Sequence, residues 1–318
     1  MIRVALAGYG WWGKHMAQRL AAHGQFDLAG IFAPEVDGYG TFEAICDDPS
    51  VDAVILTSPN DLHEAQSVAA ALAGKHVFCE KPLSLTGASA RRIVGAAQDA
   101  GVVLGIGHER RFEPAMQEVA TMVRDGAFGT VMHVEAAFSH DKLAGLPKDN
   151  WRTRPALAPA AGMTGMGIHL TDFMIWMFGP VAQVQAVTAD RSLGWETGDV
   201  VSVQLVFEAG MTATLSAILH TPHFIRYHVF GSDIWAEVRN DTHPDTPGGQ
   251  AHLVISKGGG HTTESFPWTD AVVDNLTAFA NAIEGTAPYP FTPHQMIHNI
   301  EVLEAIATSA ATGGTVRL

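Results

Sequence analysis

Three glycines in the run Gly8-Tyr9-Gly10-Trp11-Trp12-Gly13 fall where a short apolar stretch gives way to a helix-forming one. That spacing binds phosphate through the backbone. Gly8 allows a tight turn, Gly10 lets a pyrophosphate approach the chain, and Gly13 lets the next helix pack on its strand. The unpaired N–H groups of that helix's first turn then face the anion. A kinase glycine loop needs further signatures that are absent here. An acidic residue for the adenine ribose is expected about 20 residues further on. Ala33 stands there, in Ile31-Phe32-Ala33-Pro34-Glu35. Glu35 or Asp37 can take the ribose instead, and no Arg or Lys between Ala33 and Asp52 offers itself to a 2′-phosphate. The cofactor expected is NAD or NADP, with a lean to NAD.

Other reactive patterns lead elsewhere or nowhere. The sixteen histidines are scattered without an HExxH pattern, so no metal is expected. Ser139-His140-Asp141 has the letters of a hydrolase triad, but contiguous side chains point in different directions. Cys46 and Cys79 have no CxxC or zinc spacing and read as free thiols in a reducing cytoplasm. A net charge of -14 without a basic stripe argues against nucleic acid and against an anionic membrane surface. No apolar run is long enough for a bilayer, and the N-terminus has no secretory pattern. The sequon at Asn275-Leu276-Thr277 is therefore set aside.

The elements that must hold such a site alternate at first. Strands are expected at 3–7, 26–32, 53–56, 76–79 and 102–106, with helices at 12–22, 60–72 and 87–100. This is the pattern of a doubly wound parallel sheet. The stretch from Ala33 to Phe42 is too short for the usual second crossover helix. Near Pro114 the pattern changes. A helix to about Asp125 and a strand from Val131 to Phe138 precede a long irregular segment, Ser139 to Ala161, and a helix from Met163 to Met177. Strand-like runs without helices between them follow at 181–188, 200–207, 211–219, 227–230 and 234–238, with a hairpin turn at Glu208-Ala209-Gly210-Met211. Helices at 272–283 and 293–309 close the chain. Two domains are expected, a dinucleotide-binding one at 1–113 and an α+β substrate and oligomerisation domain at 114–318 with a large, mainly antiparallel open sheet.

Three further motifs occur in order: Thr57-Ser58-Pro59-Asn60-Asp61-Leu62-His63, Glu80-Lys81-Pro82 and Gly167-Ile168-His169-Leu170-Thr171-Asp172. With the glycine turn they resemble the Gfo/Idh/MocA oxidoreductases, the family of glucose-fructose oxidoreductase and inositol dehydrogenase. Gly107-His108-Glu109-Arg110-Arg111-Phe112 is similar to that family's segment after the fifth strand, with Glu109 in place of the usual Asn. The resemblance covers nearly the whole chain and implies a Rossmann domain followed by the α+β domain. It implies that Thr57, Ser58, Pro59, Asn60 and His63 line the nicotinamide side of the cofactor cleft, that Glu80 contacts the cofactor, and that Pro82 sets the turn through a cis bond. It also implies that Lys81 reaches the reacting oxygen, that His169 transfers the proton, and that Arg110, Trp151, Arg152 and Asp172 meet the substrate.

Each residue also has a plainer reading. A Lys before Pro is commonly a solvated turn residue, and a His on an apolar helix is often structural. Asp172, one turn from His169, either faces it or packs its helix. Trp11 and Trp12 either cover the cofactor or pack between domains. Met163, Met166, Met174 and Met177 read as packing. One departure stands out: Gly165 occupies the place, four residues before the His, where many relatives carry an Asp. Another acid such as Asp172 or Glu109 substitutes, or the substrate brings its own carboxylate, or the usual reaction has been lost. The implied function is an NAD(P)-dependent oxidoreductase acting on a secondary alcohol or ketone of a sugar, cyclitol or related polyol, in a homodimer or homotetramer. The alternatives are a dinucleotide-binding regulator or scaffold on the same fold, and an NAD-dependent glycoside hydrolase.

Overall fold

The structure is a computed structural model that describes all 318 residues. The chain divides into two compact units, one of Met1–Glu109 with Val272–Ile300 and one of Arg110–Ala271 with Glu301–Leu318. No helix is long and apolar enough to cross a membrane.

The first unit opens β1 (Ile2–Ala7), α1 (Trp11–Ala22), β2 (Phe26–Phe32), α2 (Phe42–Asp47), β3 (Ala53–Leu56), α3 (His63–Leu72), β4 (His76–Cys79), α4 (Gly87–Ala100) and β5 (Leu104–Ile106). The strands form one parallel sheet in the order β2-β1-β3-β4-β5. Helices on both faces bury the sheet, which is why β3 reads Ala-Val-Ile-Leu with every side chain buried. The strand order reverses between β1 and β3, and in such sheets ligands bind at the carboxyl ends on either side of that point. Helix boundaries follow local chemistry. Thr86 Oγ1 accepts the Ser89 N–H to start α4, and Gly101, at φ 66°, ends it.

The second unit contains α5 (Pro114–Arg124), β6 (Val131–Ser139), α6 (Gly167–Phe178), β7 (Val181–Ala189), β8 (Val200–Phe207), β9 (Thr212–Ile218), β10 (Phe224–Gly231), β11 (Trp235–Asn240), β12 (Gln250–Lys257) and β13 (Gly260–Pro267). Helices α7 (Ala271–Ile283) and α8 (Pro293–Thr312) and the short β14 (Val316–Arg317) complete the chain. The nine strands run β13-β12-β11-β10-β6-β9-β8-β7-β14, antiparallel except for the parallel pair β6–β9. Val201, Val203, Leu205 and Phe207 of β8 are buried while Ser202 and Gln204 are exposed, the alternation of a sheet with one covered face. The other face carries charge across strands: Arg226 pairs with Glu135 and Glu237, and Arg239 with Glu237.

Three features depart from the pattern expected. The chain from Ala33 to Thr41 is irregular, and a six-residue α2 then supplies the crossover that seemed too short to exist. Strands β12 and β13 were not foreseen, because Gly-His-Thr-Thr-Glu-Ser reads as loop and lies exposed on a sheet edge. Residues 272–300 belong to the first unit. Val272, Leu276, Phe279 and Ala280 of α7 join Ile2, Leu6, Leu20, Ile55 and Phe78 in one apolar cluster, with Phe279 edge-on to Phe78 at 5.5 Å. The same segment covers the edge of β5. Tyr289 Oη accepts the Ile106 N–H at 3.0 Å, and Asn275 donates to the Ile106 carbonyl at 2.9 Å. Asn275, the sequon residue, is thus fully buried.

Candidate active site

The glycine turn has room for a pyrophosphate only where no side chain is missing for lack of space. Gly8 sits at φ +97°, and a Cβ there would lie 2.7 Å from Ser58 N and from the Thr57 carbonyl. A Cβ on Gly13 would lie 2.3 Å from the Gly8 carbonyl, whereas Gly10 opens on space with nothing within 4 Å. The two outer glycines are therefore demanded by packing, and the middle one leaves the backbone approachable. Helix α1 starts with no side-chain cap and no acidic residue in its first turn, so its first N–H groups and its dipole suit an anion. These residues fit a dinucleotide. Tyr9 and Trp12 pack against the apolar cluster of the first unit, while Trp11 is 62% exposed and meets His15 edge-on at 4.6 Å. Beyond β2 the chain folds back, the Tyr39 N–H donating to the Ile31 carbonyl and the Tyr39 hydroxyl to Asp48 at 2.7 Å. Glu35 and Asp37 stay exposed beside it, and Ala33 is buried.

The segment after β3 braces this turn. Thr57 Oγ1 donates to the Gly8 carbonyl at 2.8 Å, and the Ser58 hydroxyl donates to Gln66. His63 is buried, with Nδ1 2.7 Å from the Pro82 carbonyl and Nε2 3.0 Å from the Ser58 carbonyl. Burial pushes its pKa below the ordinary imidazole range, so the neutral ring donates to the nearer Pro82 oxygen. His63 thereby ties the Thr57–Asn60 segment to the Glu80–Pro82 turn. Asn60 is buried at the start of a single 3-10 turn. The Lys81–Pro82 peptide is cis. Glu80 is buried and accepts the Lys81 N–H at 3.2 Å, and a Cβ at Gly107 would lie 2.4 Å from its carboxylate. Gly107 is what gives that carboxylate room, while Lys81 itself is half-buried.

In the second unit, His169 is buried in the first turn of α6. Its ring lies 6.1 Å from that of Phe138, which also carries the Arg110 guanidinium at 4.5 Å. Arg110 is held by Glu113 at 2.6 and 3.3 Å. Both oxygens of Asp172 accept from Arg111, at 2.6 and 2.7 Å, with both partners buried. The neighbouring Tyr227 hydroxyl is pushed well above its ordinary range by burial and by that carboxylate. Trp151 and Arg152 start a short 3-10 turn capped by the Asn150 side chain, and Arg152 stacks over Trp151 at 4.1 Å. Ala160 and Ala161 lead toward α6 at φ 57° and 51°, a left-handed conformation rare for a side chain with a Cβ. They are held because Ala161 N–H donates to Thr197 and Thr197 Oγ1 to Ala158. A Cβ at Gly165 would meet only Leu143, at 3.7 Å, so the position has room for a side chain it does not have.

A family model described as an oxidoreductase family with an NAD-binding Rossmann fold matches residues 2–108, and one for the GFO/IDH/MocA C-terminal domain matches 116–237. The D-xylose 1-dehydrogenase (NADP(+)) 2 of Haloferax volcanii is 32% identical over 88% of this chain and 84% of its own. This chain belongs to the Gfo/Idh/MocA oxidoreductase family. The 1,5-anhydro-D-fructose reductase of Ensifer adhaerens is 28% identical over 85% of this Gfo/Idh/MocA chain and 81% of its own. The aldose-aldose oxidoreductase of Caulobacter crescentus, solved in complex with glycerol, superposes with a TM-score of 0.86 at 27% identity, covering 100% of this chain and 99% of that one. Sequence reasoning on this Gfo/Idh/MocA chain passed over two groups of side chains. His294 and His298 stack at 5.6 Å on α8, although no group of three His, Cys, Asp or Glu side chains can hold a metal ion. His140, His223 and His243 gather near Phe138. They are far apart in sequence, and no spacing signals that they meet.

Proposed function

We propose that this Gfo/Idh/MocA protein moves a hydride between nicotinamide and a secondary alcohol or ketone of a sugar, cyclitol or related polyol. The observation that carries the reading is the glycine turn whose outer positions forbid a Cβ while Gly10 stays open. The Glu80–Lys81–Pro82 turn, tied by His63 to the segment that braces those glycines, supports it. The names of the relatives, which are sugar and polyol dehydrogenases or reductases, favour the substrate class.

Gly8, Gly10, Gly13 and the first turn of α1 would hold the pyrophosphate, with Thr57–Asn60 and Glu80 toward the nicotinamide. When bound, that ring supplies the hydride acceptor or donor. Oxidation of a carbinol requires its hydroxyl proton to leave, and His169 takes that proton at an imidazole nitrogen. The Lys81 ammonium stabilises the negative charge that grows on the oxygen. Arg110, Trp151 and Arg152 orient the polyol. Lys81→Met and His169→Gln should each lower kcat/KM by about 10²–10⁴-fold while NAD binding survives. Unchanged turnover in both variants would sink the assignment.

Of the two cofactors we favour NAD. The segment from Ala33 to Asp52 offers Glu35, Asp37, Glu43, Asp47, Asp48 and Asp52 and no cation, so within it a 2′-phosphate would meet only like charge. KM for NADP should exceed that for NAD at least tenfold, and the reverse order removes this preference. Cytoplasmic residence suits the two free cysteines, of which Cys79 is buried with its thiol pKa raised. A homodimer or homotetramer through the open face of the nine-stranded sheet completes the proposal, and sedimentation in solution tests it.

A further inference from the structure

Strand β13 ends the nine-stranded sheet on an exposed edge. The molecule closes its other edges. Tyr289 and Asn275 cap β5, and the chain after β2 folds back so that the Tyr39 N–H meets the Ile31 carbonyl. At the far side of the large sheet, β14 is only 2 residues long. By contrast β13 has 8 residues, and every side chain but Phe266 is exposed. No Lys or Arg, no interior Pro and no register shift blunts it.

Which backbone groups of β13 point outward follows from its hairpin. Lys257 and Gly260 face each other across Gly258 and Gly259, at φ 60° and 86°. A turn of this kind makes its flanking residues a hydrogen-bonded pair, and such pairs alternate along the ladder. Gly260, Thr262, Glu264 and Phe266 therefore give their N–H and C=O groups to β12. Two bonds just past the strands keep the same parity. The Trp268 N–H donates to the Gly249 carbonyl, and the Asp241 N–H to the Gln250 carbonyl. His261, Thr263 and Ser265 turn their backbone groups outward, as does Pro267, which has no N–H to leave bare. Glu264 shares the face of its partner Leu253, which is buried.

This row is complementary to itself across a twofold axis. Two antiparallel copies centred on Thr263 set Thr263 opposite Thr263 and His261 opposite Ser265. Every outward N–H of the strand is then used, each pair exchanging both of its N–H···O bonds. Glu264, the strand's only carboxylate, meets Thr262 of the other copy. An axis one residue later sets Glu264 against Glu264 and pairs His261 with Pro267, which cannot donate. An axis one residue earlier puts Ser265 opposite the turn at Gly259. One register therefore stands out. We propose that two copies of this chain pair through β13, joining their nine-stranded sheets into one continuous sheet. This contact is separate from the open-face contact named above and does not rest on the dehydrogenase reading. Alone it gives a dimer, and with the open-face contact a tetramer.

Two kinds of variant test the pairing. Thr263→Pro removes an outward N–H and leaves the hairpin's own ladder intact, so it should melt as the parent does. In sedimentation it should show half the parent's mass, or dissociate at about tenfold higher protein concentration. Thr263→Cys in a Cys46→Ser background reads the register. Opposed residues in such a pair lie about 5.5 Å apart between Cα atoms, within disulfide reach. Mild oxidation with diamide should link two chains of this variant, and Thr262→Cys in the same background, two positions out of register, should stay unlinked. A parent that sediments as a monomer overturns the proposal. So does a Thr263→Pro variant that melts normally and keeps the parent's mass. Should Thr263→Pro melt early, the cysteine variants decide alone. No link from Thr263→Cys, or an equal link from Thr262→Cys, overturns the pairing and leaves the edge to water or to a strand of another protein.

Discussion

His243 illustrates how a single buried residue can set a pH limit on stability. In the folded protein its pKa lies near 2, held there first by burial and then by Lys142, Arg110, His140 and His223. In the unfolded chain it returns to about 6.5. Above pH 6.5 both states are neutral at this ring and its contribution is fully present. As pH falls from 6.5 toward 2, only the unfolded chain gains the proton, so stability is lost through that window. The melting temperature should fall between pH 7.5 and pH 5, and His243→Gln should fall less. An equal fall in both proteins would show that other groups govern the acid limb. At this scale the sequence was partly legible. The spacing of Gly8 and Gly13 between a strand and a helix reads as a tight, closely packed turn, and the structure has it so, with Gly8 at φ +97° and no room for a Cβ at either position. Asp172 did not reveal its partner, because Arg111 is 61 positions away and only the packing of α6 against the segment before α5 joins them. The histidines around Phe138 were illegible for the same reason.

At the level of elements, the alternation of apolar strands with helices gave the parallel sheet directly, since both faces of each strand are buried. Strand β13 was missed because nearly all its side chains are exposed and its pairing with β12 is carried by backbone, which leaves no apolar period to read. The loop before α6 shows a different physics. Ala160 and Ala161 hold two successive left-handed conformations, each costing on the order of 1 kcal/mol for a residue with a Cβ. Nothing in the letters Pro-Ala-Ala-Gly reports this; the hydrogen bonds of Thr197 impose it. Ala160→Gly should raise stability by about 0.5–1 kcal/mol in denaturant unfolding, whereas an alanine-to-glycine change inside a helix lowers it. A loss at Ala160 would mean that its methyl group packs more than the backbone strains.

On the scale of the whole molecule, the first unit is discontinuous. A boundary at residue 113 looks complete in sequence because the last strand of the parallel sheet has just ended. Yet Leu276, Phe279 and Ala280 fill the core beside Phe78, and Tyr289 and Asn275 satisfy the edge of β5. A fragment of residues 1–113 should therefore fail to unfold cooperatively, and Phe279→Ala should cost the full chain about 3–5 kcal/mol. A sharp thermal transition in the fragment would show that the sheet is self-sufficient.

That discontinuity also sets a clock on the ribosome. Synthesis runs at roughly 5–20 residues per second, so roughly ten to forty seconds separate the emergence of β5 from that of the segment which closes its core. During that interval Phe78 and the bare edge of β5 are exposed to other nascent chains. The first unit, begun first, is completed only after residues 272–300 have emerged.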